Sequence, residues 1–288
     1  MDNNYYLRTT YNIAENMKKN GLYIFLLFII SCNLAQDNES DKSSETLDSV
    51  GLRNLTDSIA EMQIDNIIFD SIKCGLNLQK GVDYQNSKNK ISQLKSMLNE
   101  DYSKIKDSLE KERFLDSVMT LFSAKLLNEI IPYWYGTEWD FNGYTSKPNE
   151  GKIACGYFVS TTLRDMGLKL NRYKLAQQGP ENEAKTISIL NKNMLVLDIT
   201  DHDNISELFK EINEGLYFVG LDFHVGYFYK RGNENYFIHS NYIDGEVMIE
   251  VAENSRAFKS STYYLSKISS NKEIALKWIQ NKEINIIK

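Results

Sequence analysis

Apolar and polar positions along the chain form two patterns that change near residue 126. Between residues 52 and 125, apolar residues recur at intervals of three and four, as Leu94, Leu98 and Tyr102 do. This is the spacing of one face of an amphipathic helix. The segment therefore predicts one long or two shorter helices, whose apolar face packs on the next domain.

From residue 126 to residue 288 the pattern predicts a helix followed by antiparallel strands. Residues 156–166 have one apolar helical face, and Gly167 is a suitable terminator. Residues 225–229 and 235–239 flank a turn and predict a β-hairpin. Further strands are predicted at residues 194–197, 215–221 and 246–251. One helix ahead of antiparallel strands is typical of an α+β fold.

The amino-terminal residues predict export. A lysine pair precedes an apolar run over residues 21–30, which is shorter than the roughly 20 residues that cross a bilayer but fits a signal peptide. The run ends in Ile-Ile-Ser-Cys, which resembles the lipobox of bacterial lipoproteins, where the cysteine, here Cys32, is acylated. We predict a signal peptide over residues 1–31, with Met17 as an alternative start. A core strand that ends in cysteine is the alternative.

Residues 32–51 are polar and acidic, a composition that keeps a segment disordered, so they predict a tether. Acyl chains at Cys32 would attach the protein to a membrane without a spanning helix. An acidic stretch behind such a cysteine resembles surface-export signals of some Gram-negative lipoproteins, and a plain spacer is the alternative. The resemblance implies the bacterial cell envelope, at the outer membrane or cell surface rather than the inner membrane.

Composition narrows the partners. The net charge of −6 and a pI near 5.3 argue against a nucleic-acid partner. With Cys32 acylated, Cys74 and Cys155 remain; they could pair in an oxidising compartment, or Cys74 could be a buried small residue. No metal-ligand spacing is present, so we predict neither a metal nor a cofactor.

Cys155 at the start of a helix, followed by His224 and His239 on successive strands, suggests a thiol nucleophile. Only a thiolate attacks carbonyl carbon efficiently, and a helix amino terminus and a nearby imidazolium both favour it. His224 would act as the base, and His239 would orient its ring. The backbone N–H of Cys155 and a tyrosine hydroxyl would stabilise the oxyanion.

These segments resemble the NlpC-type cell-wall endopeptidases of the papain-like superfamily. Members carry Pro-Tyr-x-x-Gly-Gly, Asp-Cys-Ser-Gly-Phe-Val, His-Val-Gly-Ile-Tyr and Phe-Ile-His-Ala, in that order. This chain has Pro-Tyr-Trp-Tyr-Gly-Thr from Pro132, Ala-Cys-Gly-Tyr-Phe-Val from Ala154, His-Val-Gly-Tyr-Phe from His224 and Phe-Ile-His-Ser from Phe237. The match covers roughly residues 130–245. Ala154 stands where the family carries aspartate.

The resemblance implies a papain-like domain over residues 126–288, with a nucleophile helix packed on an antiparallel sheet. A helical accessory segment, residues 52–125, would precede it. It also implies a role for each site residue. These are Cys155 as nucleophile, His224 as base, His239 as third member and Tyr133 as oxyanion donor. The family cleaves the stem peptides of peptidoglycan, so the implied partner is peptidoglycan or another envelope amide.

An aromatic segment precedes the cysteine and includes a loop that is longer than in the family. We predict that Trp134, Trp139 and Asp140 bind substrate, and core packing is the alternative for the tryptophans. Two other functions remain open. One is an inactive papain-like lipoprotein that binds cell-envelope material, and the other is a cysteine amidase or acyl hydrolase with a non-murein substrate.

Overall fold

The computed structural model describes residues 74–189, 194–199 and 205–288. The predicted signal peptide, the tether with Cys32, and the beginning of the helical segment lie outside the described residues. Among those described, no helix is long and apolar enough to cross a membrane. The described parts contain seven α-helices and one six-stranded antiparallel sheet, which confirms the α+β class.

The helices are α1 (Tyr84–Lys104), α2 (Ser108–Lys125), α3 (Cys155–Asp165), α4 (Arg172–Ala176), α5 (Pro180–Ser188), α6 (Ile205–Lys210) and α7 (Lys272–Ile279). The strands are β1 (Met194–Asp198), β2 (Gly215–Gly220), β3 (Val225–Arg231), β4 (Glu234–Ser240), β5 (Val247–Val251) and β6 (Thr262–Lys267). A π-helical turn (Leu126–Ile130) and two 3-10 turns (Ile131–Tyr133 and Ala252–Asn254) complete the described elements.

From Tyr84 to Lys125 the described part of the helical segment forms two helices, the second of the two alternatives that its pattern left open. The carboxylate of Asp83 accepts the N–H groups of two residues in the first turn of α1. That of Asp107 accepts the N–H of Glu110 at the start of α2. Such caps satisfy donors that a helix start leaves without a partner. The chain is extended at Ile105, between the two helices, so the stripe of apolar residues is broken there.

The sheet has the strand order β1-β6-β2-β3-β4-β5, with every neighbouring pair antiparallel. The predicted hairpin is present as β3 and β4. Its register pairs Arg231 with Glu234, so the turn has two residues and is shorter than the predicted turn over residues 230–234. Gly232 adopts a φ of 57° there, a conformation that such two-residue turns require and that glycine adopts without strain.

Strand β6 and the helices α4, α5, α6 and α7 are missing from the elements that the sequence predicted. β6 lies between β1 and β2, with Leu265 paired to both Leu195 and Val219. Its position in the middle of the sheet depends on partners that are far away in the chain. Local alternation carries no information about those partners.

Both faces of the sheet are apolar, because successive strand residues point to opposite sides. On β4, Tyr236 and Ile238 join a core that also contains Phe158 of α3 and Phe122 of α2. Phe237 joins a second core on the opposite face. The described part of the predicted accessory segment therefore shares its core with the sheet and with the helix that carries Cys155.

Candidate active site

Cys155 begins α3, and two hydrogen bonds hold the residues just before it. Ala154 N–H donates to Gly143 O at 2.8 Å, and Ser240 Oγ at the end of β4 donates to Ile153 O at 2.7 Å. The N-cap Ala154 has no side chain that could cap the helix. No side chain therefore occupies the N–H groups of the first turn, and the helix dipole favours an anion beside them.

Two histidines and a carboxyl group form a hydrogen-bonded row at the end of the sheet. Nε2 of His224 lies 2.7 Å from Nδ1 of His239, and Nε2 of His239 lies 2.8 Å from Oε1 of Glu250. Both histidines are buried. The structure therefore places His239 directly behind His224 and adds Glu250 behind His239.

Glu250 is a site residue that sequence reasoning missed. It lies on β5, where the register pairs Phe237 with Glu250 and His239 with Met248. Glu250 is therefore the diagonal neighbour of His239 on the same face, within reach of a long side chain. The sequence shows a carboxylate in a predicted strand, but only the register places it against the histidine.

The thiol of Cys155 lies at the beginning of β3. Burial, followed by the charge of Glu183, raises the pKa of Cys155 to about 11. The backbone N–H groups of Val225, Gly156 and Cys155 act in the opposite direction and lower that pKa in part. In the described residues no hydrogen bond joins the thiol to His224, the residue before Val225. Free enzymes often have such looser geometry before substrate binds.

Both imidazoles are neutral around neutral pH. Burial, with a further contribution from His239, lowers the pKa of His224 well below its usual value. Burial lowers the pKa of His239 to about 3. Burial of a charged form without compensating charge is costly, which explains both shifts. The site therefore combines a neutral thiol with two neutral imidazoles around neutral pH.

Tyr133 packs against α1, and its contacts in the described residues do not include the thiol of Cys155. Its hydroxyl lies 3.2 Å from Ser87 Oγ of α1, and its ring packs on Tyr84 at 5.0 Å between centroids. Tyr133 is buried. No contact in the described residues supports its prediction as oxyanion donor.

The three predicted substrate residues lie in different surroundings. Trp134 is fully buried, and its Nε1–H donates to Tyr84 at 2.9 Å, so it belongs to the core, the alternative considered for it. Trp139 is partly exposed and packs on Tyr242, whose ring lies 5.2 Å from that of His224. Asp140 accepts an N–H bond from Asn142 within its own loop. Only Trp139 is connected to the row of histidines.

Where the structure describes the chain, no group of three or more histidine, cysteine, aspartate or glutamate residues is arranged to hold a metal ion. Cys74 is buried, and no disulfide joins it to Cys155. Comparison of the sequence and structure with protein-family models, curated proteins and solved structures finds no match. The inference of function therefore rests on the site itself and on the motif resemblance.

Proposed function

We propose that this protein is a papain-like cysteine hydrolase that cleaves amide bonds through an acyl-enzyme at Cys155. The observation that carries the proposal is the 2.7 Å hydrogen bond between His224 and His239. The backbone N–H of Val225, the residue after His224, acts on the thiol of Cys155 and lowers its pKa in part. A base with an orienting partner, next to a thiol at a helix start, is the arrangement that nucleophilic catalysis by cysteine requires.

The neutral resting state defines the first step. The sulfur of Cys155 attacks the substrate carbonyl carbon while His224 Nδ1 takes the thiol proton. The C–S bond forms, and the carbonyl electron pair moves to the oxygen, which the N–H groups at the start of α3 stabilise. The C–N bond then breaks as His224 returns the proton to the leaving amine. Water, deprotonated by the same ring, hydrolyses the thioester and restores the thiol.

Stem peptides of peptidoglycan are the proposed substrate. The motif resemblance over residues 130–245 and the predicted lipid attachment at Cys32 support this class, since both lead to the cell envelope. Trp139 and Tyr242, beside His224, provide an aromatic surface next to the proposed reaction centre. Such a surface would contact the substrate on the side of the base.

An inactive cell-envelope binding protein is the second candidate. The raised pKa of Cys155 and the absence of a thiol–His224 hydrogen bond in the described residues favour it. A cysteine hydrolase that acts on another amide or an acyl ester would use the same residues. The hydrolase and the inactive binding protein can be distinguished by experiment, because only the hydrolase requires the sulfur of Cys155.

The test compares the full chain with Cys155→Ala, and with Cys74→Ala as a matched cysteine control. Each is incubated with purified muropeptides, and the products are identified by mass spectrometry. We expect stem-peptide cleavage by wild type and by Cys74→Ala, and none by Cys155→Ala. Equal cleavage by Cys155→Ala would overturn the nucleophile. If the muropeptides stay intact while wild type cleaves compounds from a panel of other amides and esters, the substrate is not a peptidoglycan stem peptide.

A further inference from the structure

A hydrogen-bonded chain runs from a backbone amide to the row of histidines. The N–H of Phe258 can only donate, and it donates to Ser255 Oγ at 3.1 Å. The Ser255 hydroxyl then donates its own proton to Glu250 Oε1 at 2.6 Å. As a carboxylate, or as an acid with its proton on the other oxygen, Glu250 accepts at Oε1.

This direction determines the protons on both histidines. Because Glu250 Oε1 accepts, Nε2 of His239 has to be the nitrogen that carries the proton in their 2.8 Å contact. A neutral imidazole has one N–H, so Nδ1 of His239 is an acceptor. Nε2 of His224 must then donate across the 2.7 Å contact, which leaves Nδ1 of His224 without a proton.

We propose that Glu250 is a positioning residue that, with Ser255, keeps Nδ1 of His224 proton-free as the base for Cys155. The inference rests on the proposed function and adds to it a residue outside the motifs. Without the acceptor at Oε1, the two rings can reverse their shared hydrogen bond. His224 would then carry its proton on Nδ1 and could not accept another, and an orienting group that favours the wrong tautomer abolishes most activity in a related arrangement.

Packing around the row supports a fixed geometry. The ring of His239 stacks on Phe237 with centroids 3.9 Å apart, and Gly226 leaves room for it, since a Cβ there would lie 2.9 Å from the Cβ of His239. The side chain of Glu250 is mostly buried, with 21% of its surface exposed. A hydrogen bond shielded in this way selects a tautomer more strongly than one in water.

The first experiment measures the tautomers directly. The chain has three histidines, so ¹⁵N-histidine labelling of the full-length protein yields a simple long-range ¹H–¹⁵N spectrum, assigned with His224→Gln and His239→Gln. We expect the Nε2–H tautomer for both His224 and His239. An Nδ1–H tautomer at either ring in wild type would overturn the inference.

The second experiment measures the rate of Cys155 alkylation by iodoacetamide in the full chain, read from the peptide that contains Cys155. For Glu250→Ala we expect a fall of about 10-fold or more, since base assistance contributes on the order of 10²–10⁴. Glu250→Gln retains a carbonyl acceptor and should restore most of the rate. Glu246→Ala, which removes an exposed carboxylate directly before β5, should match wild type.

The outcomes separate the two proposals. One outcome would contradict the role of Glu250 regardless of hydrolase activity. In it, Glu250→Ala folds, keeps the wild-type tautomer at His239 and is alkylated at the wild-type rate. If wild type cleaves no amide or ester but shows both tautomers and the rate difference, the hydrolase fails and the role of Glu250 stands. Should Glu250→Ala not fold, Ser255→Ala removes the donor to Oε1 and is expected to mix the His239 tautomers.

Discussion

A carboxyl oxygen of Glu183 lies 3.1 Å from where a Cβ atom would stand on Gly156, the residue after the proposed nucleophile. Glu183 is almost fully buried on α5, and its Oε2 has no hydrogen-bond partner among the described residues. Burial raises the pKa of Glu183 well above its usual value. A buried carboxyl group beside the thiol therefore determines part of the nucleophile's electrostatic environment.

Replacing Glu183 with glutamine should lower the pKa of Cys155 from its value of about 11, because the charge of Glu183 raises it. The thiolate absorbs in the ultraviolet, so a pH titration of the full chain measures this pKa, with Cys155→Ala as the blank. Glu181→Gln on the same helix, an exposed residue paired with Lys185, is the matched control. If the pKa of Cys155 is the same in Glu183→Gln as in wild type, the charge of Glu183 does not affect the thiol.

Glu183 should also make stability depend on pH. Its pKa is raised in the folded state, whereas the unfolded chain releases the proton near pH 4.3. The stabilisation is complete below that pH and is lost as pH rises towards the folded pKa, by about 1.4 kcal/mol per pH unit. Urea unfolding of wild type and Glu183→Gln at several pH values measures the difference. Parallel curves for the two proteins would contradict this prediction.

Alkylation of Cys155 should increase with pH well beyond the range of an ordinary cysteine. The thiol pKa is raised to about 11, so the thiolate fraction increases about tenfold per pH unit up to that value. The part of the rate that neutral His224 assists does not change with pH in this range, because the pKa of His224 is lowered, so no step is expected near pH 6.5. The rate of Cys155 alkylation by a neutral electrophile, measured from pH 6 upwards, is the readout. A plateau near the ordinary thiol pKa of about 8.5 would show that a thiolate is already present.

Gly226→Ala should destabilise the protein and displace His239. A Cβ at this position would lie 2.6 Å from Cε2 of Phe237 and 2.8 Å from Ile238 O. Overpacking of this kind costs about 1–3 kcal/mol. Gly179→Ala is the control, since nothing lies within 4 Å of a Cβ there. Urea unfolding and the ¹⁵N spectrum of the histidines measure both effects, and a Gly226→Ala protein with wild-type stability would contradict the close approach.

The part of the site predicted from sequence consists of residues whose signal is local. Cys155 begins a helix whose apolar face is visible in residues 156–166, and the observed helix extends to Asp165. His224 and His239 flank a hairpin whose alternation is visible in the chain, and their rings meet at 2.7 Å. Helix and strand periods arise from backbone geometry, so a short stretch of sequence is enough to detect them.

Residues whose role depends on distant partners were not predictable. Trp134 belongs to an aromatic cluster in sequence, yet its indole binds Tyr84 of α1 and packs in the core. Tyr133 stands in a segment that resembles a family motif, yet its hydroxyl lies 3.2 Å from Ser87 Oγ. Glu183 has no local signal at all, because an acidic residue on a short helix is usually exposed.

By itself, the sequence determined the α+β class, the helix that begins at Cys155, five of the six described strands, and a cysteine followed by two histidines. Hydrophobic period and residue order are properties of the chain. Tertiary structure alone decided which groups surround Cys155, that Glu250 lies behind His239, and that β6 occupies the middle of the sheet. Strand register and helix packing set those contacts, and both depend on the free energy of burying surfaces from opposite ends of the chain.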